Sequence, residues 1–204
     1  GNGVVGEAKG GSIINLPNNS MKSVVPNYRI EGLTLTNLVK NGDFSQGVKG
    51  WQSNISTSEA INNVLVNTPD SLEEYSPAVG ILQEIDYNIG DILYLKASVR
   101  CTKNTRITIG VYPKEEKIDL ESNNSFKNIS ANIHTEGATS KNCKIYYSTS
   151  SSWDSSDRFY YKNFIAINLT QTFGAGNEPT KEWCDAHLPD YVEGTKSVQL
   201  PMRV

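Results

Sequence analysis

The 204-residue chain has only two histidines, three cysteines and two methionines, which leaves little material for metal-dependent or thiol chemistry. Cys101, Cys143 and Cys184 lie far apart, form no CxxC and have no histidine at metal spacing. They read as three reduced, partly buried thiols. A disulfide between Cys101 and Cys143 would need their strands to be neighbours, and this usage fits a reducing cytosol better than a disulfide-stapled secreted domain. A basic excess is also missing: 19 Lys and Arg against 22 Asp and Glu give a net charge of −3. That balance does not suit phosphate neutralisation, so no nucleic-acid partner is expected. No apolar run approaches the length of a membrane span, so no membrane insertion is expected. No leader-like segment is visible, and a chain starting at Gly1 reads as a piece of something longer or a processed product.

Catalytic constellations are equally scarce. No GxSxG occurs, and Gly174-Ala175-Gly176 is not followed by Lys-Ser/Thr, so it reads as a turn rather than a phosphate loop. The acid pairs Glu73-Glu74, Glu115-Glu116 and Asp154/Asp157 are expected in polar loops and read as solvated charges rather than a glycosidase pair. His134 ends a candidate strand and His187 ends a candidate helix, where packing or capping roles suffice. The chain is expected not to be an enzyme.

What is abundant is Asn and Ser, 21 each, with 10 Tyr. Short stretches alternate with a period of two. From Asp91 to Arg100, Leu93, Leu95, Ala97 and Val99 share one face, while Ile92, Tyr94, Lys96 and Ser98 share the other. Arg106 to Tyr112 repeats the pattern, and the Lys103-Asn104 gap is short enough for a hairpin. Further strand candidates are 61–67, 79–85, 125–133, 143–148 and 158–169, separated by Asn, Ser, Gly and Pro clusters. Such a series predicts an antiparallel sandwich or barrel. One helix is expected over 180–187, with Thr180 as cap, Trp183 and His187 on one face, and Pro189 as a stop. Residues 1–11 hold five glycines and read as a flexible lead-in or extended arm, with a short strand at 12–16. Lys22-Ser23-Val24 with Arg29-Ile30 matches Lys196-Ser197-Val198 with Arg203-Val204, as in a tandem array cut where the next unit begins.

Two stretches carry a resemblance. Asn37-Leu38-Val39-Lys40-Asn41-Gly42-Asp43-Phe44, followed by Trp51, resembles the opening strand of jelly-roll carbohydrate-binding modules. Gly90-Asp91-Ile92-Leu93-Tyr94-Leu95 and Tyr160-Tyr161-Lys162-Asn163-Phe164-Ile165 continue the likeness. The segment from Asn168 through Leu169-Thr170, Phe173-Gly174 and Gly176-Asn177-Glu178-Pro179-Thr180 resembles the end of jelly-roll domains in tail and minor structural proteins of Gram-positive phages and prophages. The resemblance implies an all-β, antiparallel jelly-roll β-sandwich with one short C-terminal helix. It divides the chain into a lead-in and arm (1–32), the sandwich (33–190) and an extension reading as the start of a following repeat (191–204).

The same resemblance implies a non-enzymatic, tail-associated adhesion module, made in the bacterial cytoplasm and carried in the virion outside the cell. Its partners would be host cell-wall or surface polysaccharide and other tail subunits, with homo-oligomers common in such appendages. The alternative is a carbohydrate-binding module of a secreted, multidomain glycan-degrading enzyme. No cofactor is expected beyond the structural Ca²⁺ that such jelly rolls often hold, for which Asp43 is the candidate ligand; Asn163 stands where many have an aspartate. Alternation puts Tyr94, Tyr112 and Tyr146 opposite the core-facing residues, with Lys96, Arg100 and Lys144 on their side. These tyrosines and Arg100, capped by Trp153, form the candidate glycan platform. The same tyrosines also suit sheet packing or a subunit contact.

Overall fold

The computed structural model describes residues 4–8, 12–16, 30–70, 79–122, 124–148 and 155–201. Its Cα positions divide into two compact units: Thr34–Val198, and Gly1–Leu33 with Gln199–Val204. In the smaller unit β1 (Val4–Ala8) pairs antiparallel with β2 (Ser12–Leu16), from Val4↔Leu16 to Ala8↔Ser12. Part of the glycine-rich start is therefore an extended hairpin strand, and the short strand expected at 12–16 is its partner. Of the sequence match between the two ends, Lys22-Ser23-Val24, Arg29 and Arg203-Val204 lie outside the described residues.

The chain continues through β3 (Ile30–Thr36), β4 (Gln52–Asn54), β5 (Ser56–Ile61), β6 (Val64–Pro69), β7 (Val79–Glu84) and β8 (Ile92–Cys101). Then come β9 (Thr105–Val111), β10 (Lys114–Leu120), β11 (Lys127–His134), β12 (Asn142–Ser148) and β13 (Phe159–Asn168). Helices α1 (Leu169–Phe173) and α2 (Lys181–His187) precede β14 (Thr195–Pro201), which pairs with β3.

The eight strands β6 to β13 pair as a folded ribbon. The first pairs with the last, the second with the seventh, the third with the sixth and the fourth with the fifth, all antiparallel. Rolling the ribbon adds the β8–β13 and β9–β12 ladders. The result is a front sheet, β10-β9-β12-β7-β4, and a back sheet, β11-β8-β13-β6-β5. This is a jelly-roll β-sandwich. It corrects the hairpin expected at Lys103-Asn104, because β8 and β9 lie in different sheets and that short link crosses between them. β9 instead forms a tight hairpin with β10, closed by Tyr112-Pro113, with Val111 opposite Lys114.

Alternation fills the core between the sheets. Leu93, Leu95, Ala97 and Val99 of β8 meet Ile107, Ile109 and Val111 of β9 and Cys143, Ile145 and Tyr147 of β12. Each fully buried aliphatic side chain contributes about 1.5–3 kcal/mol. Tyr147 stacks on Phe159 at 3.9 Å, and Trp51 lies between Phe44 and Phe164 at 5.3 and 5.4 Å. Cys101, Cys143 and Cys184 are free and buried. Buried Asn37 uses its whole amide: Nδ2 donates to the carbonyls of Phe164 and Val192, and Oδ1 accepts from the amides of Val39 and Ala166.

The 168–180 segment is structural throughout. Asn168 caps α1 by accepting from the Gln171 amide, Gly174 and Gly176 turn the chain at φ of +88° and +82°, and Thr180 caps α2. The sequence predicts one helix, and the described residues hold two. α1 was missed because Leu169 continues the apolar run of β13.

Candidate functional site

The outer face of the front sheet gathers the most distinctive exposed chemistry. On β12, Cys143, Ile145 and Tyr147 enter the core, which turns Lys144 and Tyr146 outward. Tyr146 lies opposite Gly80 of β7 and Thr108 of β9, and Lys144 lies opposite Gly110 of β9. The two glycines lower the floor of this face. A Cβ on Gly80 would sit 2.2 Å from the Ile145 carbonyl oxygen and 2.8 Å from Tyr146 Cδ1, so the Tyr146 ring lies against the sheet across Gly80. A Cβ on Gly110 would sit 2.3 Å from the Lys114 carbonyl oxygen and 2.7 Å from the Glu115 Cα. The isolated glycine within each strand run was the available sequence signal for this close approach.

Lys144 crosses this low ground. Its Nζ is 2.5 Å from Glu115 Oε1, 4.8 Å from the Tyr146 ring centre and 5.1 Å from that of Tyr112. Both partners of the ion pair are largely covered, with side-chain exposures of 11% and 17%. Tyr112 stands at the β9–β10 turn, 58% exposed. Burial, and then the Glu115 charge, push the Tyr146 hydroxyl above the usual tyrosine range, so it stays protonated and can donate. Arg106 and Asp119 form a forked pair farther along the face, at 2.7 and 3.3 Å. That pairing holds the Asp119 carboxyl below its ordinary value.

The platform read from the sequence does not assemble as one site. Tyr112 and Tyr146 come together, joined by Lys144 and by Glu115, which sequence reasoning missed. Glu115 and Glu116 do not lie in a loop but on β10, a short edge strand whose charge masks it. Tyr94 is a correction: it is fully buried under α2, and its hydroxyl donates to Asp185 Oδ1 at 2.7 Å. A ring with no exposed surface offers no stacking face. Arg100 is a second correction, because β8 belongs to the back sheet and the guanidinium lies 3.7 Å over the Tyr160 ring, away from the two tyrosines. Lys96, on the same strand, pairs with Asp190 at 2.6 Å. Trp153 and Asp154 lie outside the described residues, as do Glu73 and Glu74.

Asp43 closes a local turn: its Oδ1 accepts from the Ser45 amide at 3.1 Å and the Ser45 hydroxyl at 2.9 Å. Among the described residues, no three His, Cys, Asp or Glu side chains are gathered to hold an ion.

No protein-family profile matches the chain, and no curated protein does. Among solved structures the chain is similar to a family 4 carbohydrate-binding module, at 10% identity and a TM-score of 0.47, over 64% of this chain and 99% of that one. It is also similar to the enzymatically active domain of tailspike protein 4 of bacteriophage CBA120, at 15% identity and a TM-score of 0.47, over 65% of this chain and 21% of that one. A family 29 carbohydrate-binding module from Piromyces equi is similar at 14% identity and a TM-score of 0.42, over 69% of this chain and 89% of that one.

Proposed function

We propose that this chain is a non-enzymatic glycan-binding module of a phage tail-associated structural protein, made in the bacterial cytoplasm and acting in the virion outside it. The observation that carries the reading is Tyr146 laid across Gly80, beside exposed Tyr112 and the Lys144–Glu115 pair. A sugar ring stacks its C–H face on such an aromatic surface, while ammonium, carboxylate and phenol groups bond its hydroxyls. An open sheet face suits a run of polymer, and weak sites of this kind become effective when many copies act together.

Binding rather than cleavage is supported by the geometry of the acids. Glu115 and Glu116 are consecutive on β10, so they project from opposite faces of the strand and do not flank one bond. Glu115 is held by Lys144, and buried Asp157 by Lys103 at 3.4 Å. The tail context is supported by the resemblance of residues 168–180, with host-wall polysaccharide, other tail subunits and further copies of the chain as partners. The test is an array of Gram-positive wall polysaccharides probed with the wild type, Tyr112→Ala and Tyr146→Ala. Binding that falls at least tenfold in Tyr146→Ala, with the melting temperature kept, is the expected result. A wild type that binds no glycan refutes the reading.

A further inference from the structure

The back sheet carries a second patch of different chemistry. α2 covers one end of its outer face, where Tyr94 meets Asp185 and Asn132 Nδ2 donates to the Pro179 carbonyl. At the other end Tyr160 of β13 lies opposite Arg100 of β8, and Lys162 lies opposite Ser98, which in turn faces Asn128 of β11. The Arg100 guanidinium stacks at 3.7 Å over Tyr160 and lies 5.7 Å from the Phe126 ring centre, and Lys162 Nζ is 4.5 Å from that ring.

Among the described residues, neither cation is paired with a carboxylate. Among them, Arg100 Nη1 donates to the Asn124 carbonyl at 3.4 Å, and its shielded Nε–H meets no acceptor. The guanidinium is nevertheless only partly covered, and its accessible edge is left to pair with an anionic acceptor supplied from outside. The acid in this row, Glu59 of β5, is three strands from Arg100 along Glu59↔Val66, Val66↔Tyr160 and Tyr160↔Arg100. At the usual strand spacing that is about 14 Å, beyond the screening length of about 8 Å in physiological salt.

We infer that Arg100 and Lys162, held on Tyr160 and Phe126, form a second site that takes an anionic polysaccharide through its carboxylate or phosphodiester groups. Stacking fixes the guanidinium plane, so its edge is presented for a forked contact with two oxygens, while Lys162 adds a point charge. The site is independent of the Tyr146 face, since it lies on the other sheet.

The test uses the full 204-residue chain in affinity electrophoresis against polygalacturonate, poly(glycerol phosphate) and neutral dextran. Retardation by either anionic polymer and not by dextran is expected, and which of the two retards the protein names the group recognised. Arg100→Gln and Lys162→Gln should each weaken binding about tenfold, and Arg100→Lys should not restore it. Arg106→Gln, a cation already paired with Asp119, should leave it unchanged. Retardation of the wild type should fade as salt is raised, a readout that needs no variant. The inference is overturned if neither polymer binds, if retardation ignores salt, or if folded Arg100→Gln and Lys162→Gln variants bind as the wild type does.

Discussion

Tyr94→Phe separates a buried structural tyrosine from a ligand-facing one. The substitution keeps the ring, which is fully buried, and deletes only the hydroxyl that donates to Asp185 Oδ1 at 2.7 Å. A hydrogen bond to a charged group is worth about 1.5–3 kcal/mol, and the lower end applies here because Asp185 is exposed to water. A loss of about 1.5 kcal/mol in a chain of this size lowers the melting temperature by roughly 3–6 °C. The effect has a pH signature. Burial pushes the Asp185 carboxyl up, but hydrogen bonds from Lys181, Ser130 and Tyr94 and the Lys181 charge outweigh it, so the folded value is lowered. A lowered carboxylate pKa stabilises the fold above the unfolded value of about 3.9 and loses that contribution as pH falls through the folded value. The gap between wild type and Tyr94→Phe should therefore be full at neutral pH and close at lower pH, once Asp185 is protonated. Differential scanning calorimetry across pH reads this, and glycan arrays should show unchanged binding. An unchanged melting temperature with weakened glycan binding would refute the buried placement.

Gly80→Ala forces a methyl against the Ile145 carbonyl oxygen and the Tyr146 ring, so it should cost about 1–3 kcal/mol by urea denaturation and displace Tyr146. Glycan affinity should drop with it, while the back-sheet anion binding persists. Asn37→Ala strands two carbonyls and two amides and should cost about 3 kcal/mol or more in the same assay. The buried hydroxyls of Tyr147 and Tyr161 interact with each other without a well-formed hydrogen bond to any group among the described residues. Phe at both positions should leave the melting temperature equal or higher, and a clear drop would reveal a bond or ordered water between them.

How far the sequence discloses this molecule follows from what alternation can report. The two faces of β8 were legible because a core-facing row of Leu93, Leu95, Ala97 and Val99 has no other explanation. Alternation could not say what covers the second face, and α2, nearly ninety residues later, turned Tyr94 from surface to interior. Nor does it say to which sheet a strand belongs. Arg100 and Tyr146 both point away from the core, yet they do so on opposite sides of the sandwich. β10 escaped notice because Lys114–Leu120 is charged, as edge strands tend to be to discourage pairing with other chains. The capped turn from Asn168 to Thr180 was legible because glycines, a proline and cap residues act locally.

The jelly roll explains why the two proposed sites differ. Its ribbon commits one face of every strand to a shared core, which leaves two outer faces free to diverge. On the front, Gly80 lets the Tyr146 ring lie flat, Gly110 lets the β10 backbone approach closely, and Glu115 neutralises Lys144. That face is electrically quiet and suited to stacking on neutral sugar rings. On the back, α2 shields one end and the other keeps two unpaired cations on aromatic supports. Packed sheets stand about 10 Å apart and their outer faces point in opposite directions, so no single sugar residue reaches both. The two proposed sites would therefore engage separate stretches of polymer, one through stacking that tolerates salt and one through charge that does not. A wall polymer with both neutral and anionic segments would then be gripped at two points, and its apparent affinity would exceed that of either site alone.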